Sequence, residues 1–68
     1  MKVRMYCQVN ENGYLKNIAF GEGLSVLDDF PFFFFIEEER AIYVAENMAN
    51  FKVEIVDYKT DLVEQGAE

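Results

Sequence analysis

The chain has 68 residues, of which 51% are aliphatic or aromatic, and its 13 acidic and 6 basic side chains give a net charge of −7. That length holds one domain, the apolar content excludes disorder by composition, and the acidity argues against a basic surface for nucleic acid or anionic lipid. With no His and a single Cys, the chain can build neither an internal disulfide nor the usual zinc ligand sets.

Residues 2–9, Lys-Val-Arg-Met-Tyr-Cys-Gln-Val, alternate with period two. This predicts a half-buried strand, with Val3, Met5, Cys7 and Val9 inward and Lys2, Arg4, Tyr6 and Gln8 outward. Asn10-Glu11-Asn12-Gly13 supplies residues that tolerate positive φ, so a hairpin turn is expected there. Residues 14–20 alternate again, which places Tyr14, Lys16, Ile18 and Phe20 on one face and Leu15, Asn17 and Ala19 on the other.

Gly21-Glu22-Gly23 reads as a connector. It lacks the third Gly and the following helix that a dinucleotide site requires. Asp28-Asp29 precedes Phe30-Pro31, and the residue before a proline favours extended geometry. Phe32-Phe33-Phe34-Phe35-Ile36 then predicts a strand that is apolar on both faces.

Residues 37–50 admit two readings. In the first, Glu37–Arg40 is a turn and Ala41-Ile42-Tyr43-Val44 a returning strand. In the second, a helix puts Ala41, Ile42, Ala45, Met48 and Ala49 on one stripe, with the glutamates in its first turn, where the helix dipole favours them. Residues 51–58 alternate as a strand, with Phe51, Val53 and Ile55 facing the core. From Lys59 a short turn and then a fraying tail, beginning at about residue 60, are expected.

The fold class that follows is mainly β: a small single-domain antiparallel sheet with an N-terminal hairpin, spanning 1–68. The α+β alternative, with one helix within 37–50, stays open. The expected core is Val3, Met5, Cys7, Val9, Ile18, Phe20, part of Phe32–Ile36, Ile42, Val44, Phe51, Val53 and Ile55.

The candidate sites follow from residue chemistry. The pair Asp28-Asp29 and the run Glu37–Glu39 could gather around a hard cation, but neither has the spaced pattern of a calcium loop. They read instead as charges flanking an aggregation-prone strand. Cys7 has no His to activate it, and its strand position makes it a small hydrophobe rather than a nucleophile. No catalytic, cofactor-binding or metal-binding residue is assigned, and the protein reads as a non-enzyme.

The phenylalanine run is the unusual feature. Four consecutive Phe in a strand give each face two rings, and a single core uses one face. Either the C-terminal segment of the same chain covers the surplus, or it forms an interaction surface comprising Phe32, Phe33, Phe34, Phe35 and Tyr43, whose partner is another protein or a second copy. A second hypothesis comes from charge. From Glu37 onward there are nine acids and three bases, so the chain could mimic nucleic acid and block a nucleic-acid-binding protein.

The longest apolar run, Phe30–Ile36, is far shorter than the ~20 residues of a membrane span. Gln8, Asn10 and Glu11 interrupt any signal-peptide core. An unpaired Cys suits a reducing compartment, so a cytoplasmic location is expected.

The segment Tyr6-Cys7-Gln8-Val9-Asn10-Glu11-Asn12-Gly13-Tyr14 resembles a recurrent opening of small phage and prophage proteins of Gram-positive bacteria. In these a strand enters an x-V-[ND]-E-N-G-[YFK] turn and a second strand follows. The resemblance covers about the first 20 residues and brings no catalytic or binding residues. It implies a small accessory or structural protein that docks on a larger assembly, which would extend its expected location to a phage particle.

Overall fold

The structure is a computed structural model that describes residues 1–21 and 29–65. Glu22, Gly23 and Asp28, and with them most of the expected connector, lie outside the described residues, as do residues 66–68. The chain is mainly β. Three strands, β1 (Lys2–Val9), β2 (Leu15–Phe20) and β3 (Phe32–Glu37), are followed by helix α1 (Glu38–Glu46), a 3-10 turn (Met48–Asn50), β4 (Phe51–Val56) and β5 (Lys59–Glu64).

Two antiparallel sheets form rather than one. The first has the order β2-β1-β3, and the second is the β4-β5 hairpin. The N-terminal hairpin forms as expected. Asn10 closes its turn: its side-chain oxygen accepts from the amides of Asn12 and Tyr14 at 2.9 and 3.1 Å, and its carbonyl accepts from Gly13 N–H at 3.0 Å. Gly13 has φ +91°, and its carbonyl accepts from Val53 N–H at 2.9 Å, so the turn also docks β4. Gly13→Ala forces a side chain into that backbone geometry, at a cost of about 1–2 kcal/mol. For a domain of this size the melting temperature should then fall by about 4–16 °C. An unchanged melting temperature would show that the turn relaxes without loss.

One residue of β2 breaks the expected alternation. Val9 pairs with Leu15, but Gln8 pairs with Asn17, so Lys16 is an extra residue in a β-bulge. The bulge reverses the phase of the strand before it. Leu15, expected on the outer face, is therefore buried with Val9, Ile18 and Cys7.

Residues 37–50 take the helical reading, and the returning strand does not form. Glu38 and Glu39 occupy the first turn, where their charge favours the helix. The inner face of the first sheet, with Met5, Cys7, Phe34 and Ile36, needs a cover, and α1 supplies it through Ala41 and Val44. The buried stripe is rotated from the expected one: Val44 turns in, while Ile42 and Ala49 are exposed. At the C-terminus, Asn47 Nδ2 donates to the Tyr43 carbonyl at 2.8 Å, satisfying one of the helix's unpaired acceptors.

Lys59–Glu64 does not fray but pairs with β4 along its length, from Val56–Lys59 to Phe51–Glu64. The reversal is two residues, Asp57 at φ 54° and Tyr58 at φ 66°. Positive φ at both central positions is the twist a two-residue hairpin demands.

The core is Met5, Cys7, Leu15, Ala41, Val44 and Phe51. Val3, Val9, Ile18, Phe32, Phe34, Ile36, Met48, Val53 and Leu62 pack around it. Phe20 and Ile55, expected inside, are exposed. Phe20 is the last residue of β2, an edge strand of the sheet, whereas α1 packs mainly on β1 and β3. Ile55 lies near the tip of the second hairpin, past the body of the core.

Candidate protein-interaction surface

Antiparallel pairing fixes which rings share a face. Cys7, Met5 and Val3 of β1 lie opposite Phe32, Phe34 and Ile36 of β3, and these six line the inner face. Tyr6, Arg4 and Lys2 lie opposite Phe33, Phe35 and Glu37 on the outer face. The phenylalanine run is thus divided as a strand must divide it. Phe32 and Phe34 are half-buried against the core, whereas Phe33 is 51% and Phe35 61% exposed.

The outer face is not the polar face the alternation suggested. Tyr6 is buried there, and its ring centroid lies 5.8 Å from that of Phe33, tilted by 41°. The Arg4 guanidinium sits 5.4 Å from the Phe33 centroid on the same face. Phe33 therefore lies between a buried ring and a cation, and Phe35 stands beside it in the open. Toward the turn end of this face, Gln8 holds two neighbours. Its Nε2 donates to the Asp29 carbonyl at 2.6 Å, and its Oε1 accepts from Asn17 Nδ2 at 2.7 Å. The face has a polar end at Gln8 and an aromatic, cationic end at Phe33, Phe35, Arg4 and Lys2.

Tyr43 belongs to a different place. It lies on α1, across the sheet from Phe33 and Phe35, edge-on to the Phe51 ring with centroids 5.9 Å apart. Its hydroxyl donates to Glu64 Oε2 at 2.6 Å. That bond, and the carboxylate charge behind it, push the Tyr43 pKa up; Arg40, whose guanidinium lies 5.4 Å from the ring, opposes this. A group whose pKa is raised by folding stabilises the fold while protonated, so the contact holds through neutral pH and is lost as pH climbs past the usual tyrosine range. Tyr43 thus fastens α1 to β5.

Cys7 is buried, and burial pushes its pKa up to about 12. At neutral pH it is therefore a thiol rather than the reactive thiolate. A thiol reagent at pH 8 should label it roughly a hundredfold or more slowly than the urea-unfolded chain, because only opening of the sheet exposes it. Equal rates would place Cys7 at the surface. Among the described residues no three His, Cys, Asp or Glu side chains gather as a metal site.

Four contributors escaped the sequence reading. Arg4 was legible as a base on the outer face, but its seat on Phe33 was not. Phe20 and Ile42 line an open groove of about 610 Å³ together with Met1, Val3 and Phe35, rimmed by Lys2, Arg4 and Glu38. Tyr58 stands fully exposed at the second hairpin's tip. No helix among the described residues is long and apolar enough to cross a membrane. No protein-family model matches the chain, and no curated protein or solved structure matches it significantly.

Proposed function

We propose that the chain is a small non-enzymatic interaction or structural protein that docks on a protein partner through the outer face of its first sheet. The observation that carries this reading is the pair Phe33 and Phe35, more than half exposed on a regular sheet face with Arg4 stacked on the first ring. Aromatic rings and arginine are the side chains most enriched where interfaces bind tightly. The buried, protonated state of Cys7 supports the non-enzymatic part. The likeness of Tyr6–Tyr14 to the openings of phage and prophage proteins supports an accessory component, working in the cytoplasm or within a particle.

The test is capture by the immobilised chain from a lysate of a Gram-positive host. Phe33→Ser and Phe35→Ser should each remove a captured protein while leaving the melting curve near wild type. Tyr43→Ser, in the other layer, should not remove it. Capture that ignores both phenylalanine substitutions but collapses on raising the salt would instead favour the acidic inhibitor of a nucleic-acid-binding protein.

A further inference from the structure

Among the described residues, most of the exposed large apolar side chains gather at two opposite poles. At one pole Met1, Phe20, Phe35 and Ile42 line the groove between α1 and the end of the first sheet. At the other, Ile55 (78% exposed), Val56 and Tyr58 (102% exposed) form the tip of the β4-β5 hairpin.

The register makes these poles opposite. The groove lies where β1 begins and β2 ends. The second hairpin is attached at the far end, where Tyr14 bridges Lys52 in antiparallel sense and Gly13 accepts from Val53. Because β4 runs antiparallel to the start of β2, it leads from buried Phe51 past the Gly13 turn and away from the groove. The molecule measures 35 × 25 × 23 Å, so the tip cannot fold back into the groove of its own chain.

The poles also differ in charge. Among the described residues the groove rim has Lys2 and Arg4 against Glu38, a positive excess in a chain of net charge −7. The tip has Asp57 and Asp61 against Lys59, a negative excess. The tip also holds a bulky tyrosine at positive φ, which costs about 1 kcal/mol or more, although its ring meets nothing in its own chain.

We propose that the β4-β5 tip of one copy enters the α1–sheet groove of a second copy, with Tyr58 and Ile55 against Phe20 and Ile42, and Asp57 and Asp61 facing Lys2 and Arg4. Such a contact is heterologous, so each bound copy still offers one free tip and one free groove. Assembly then proceeds head to tail. The inference goes beyond the proposed docking of Phe33 and does not depend on it.

The experiment is light scattering over a concentration series, with two variants that alter only exposed residues. Tyr58→Asp disables the tip and Ile42→Asp disables the groove. The wild type should grow past two copies as concentration rises. Each variant alone should associate at least about 30-fold more weakly, the loss expected for a central aromatic or aliphatic anchor. Mixed one to one, the variants should recover pairing and stop at a heterodimer, because one retains a groove and the other a tip. Circular dichroism and melting curves matching the wild type confirm that both fold. A monomeric wild type at millimolar concentration, growth that halts at two copies, variants that assemble like the wild type, or a mixture that stays monomeric would each overturn the proposal. Phe33→Ser should leave this assembly intact, which separates its failure from failure of the docking face.

Discussion

Phe51→Ala is expected to remove about a third or more of the stability of the fold. Phe51 is fully buried at the first position of β4, immediately after the 3-10 turn. Its ring makes a T-shaped contact with Tyr43 of α1, and the Arg40 guanidinium lies 5.3 Å from its centroid. It is the one fully buried residue of the second hairpin; Val53 and Leu62 are only partly buried against the core. Removing the ring therefore leaves a cavity where helix, sheet and hairpin meet. A Phe→Ala change in a core costs about 3–5 kcal/mol. A chain of 68 residues has, by the usual per-residue range, about 3–10 kcal/mol in total. The substitution thus removes between a third and all of the stability. A urea or thermal melt followed by far-UV circular dichroism measures it, with a drop of roughly 12 °C or more expected. Phe51→Leu keeps most of the volume and should cost less than half as much. A Phe51→Ala protein melting within 5 °C of wild type would mean that β4-β5 is held by its backbone bonds to Gly13 and Asn50 rather than by this ring.

Why Phe51 was legible while its surroundings were not is a matter of which physical signals are local. The N-terminal hairpin carries two local signals that agree, period-two alternation in 2–9 and the Asn-Gly turn chemistry of 10–13, and it forms as read. The phenylalanine run was legible in the same way, because a strand must send alternate rings to opposite faces. The bulge at Lys16 was not, since nothing about a lysine in an alternating stretch marks it as the extra residue. The turn at Asp57-Tyr58 was hidden because it lacks the glycine that usually accompanies positive φ, and without a turn β5 looked like a tail. Residues 37–50 carry both periods at once. What decides them is the uncovered inner face of Met5, Cys7 and Phe34, a tertiary demand that no local window contains. Of the five aromatic residues singled out for a surface, strand parity separates Phe33 and Phe35 from Phe32 and Phe34. Tyr43 left the group only because its segment became a helix.

Tyr6→Ala should cost about 3 kcal/mol or more, close to the loss at Phe51, although alternation assigns this residue to the solvent face. Tyr6 sits on the central strand, where its ring has a cross-strand neighbour on each side, Ala19 of β2 and Phe33 of β3. Tyr6 is accordingly buried, while Phe33 on the edge strand is half exposed. Its ring also lies beside that of Phe33, with centroids 5.8 Å apart, so its loss should loosen the aromatic surface as well as the fold. Tyr6→Phe keeps the ring and should lie within about 1 kcal/mol of wild type. The two variants, melted side by side, separate ring packing from the hydroxyl. If Tyr6→Ala melts like Tyr6→Phe, the outer face contributes little, and the stability of this chain resides in the single layer between the first sheet and α1. If it falls by 12 °C or more, the chain has a second packed layer on the side that bears Phe33 and Phe35. The docking surface would then rest on a rigid base, where bound rings lose little further freedom.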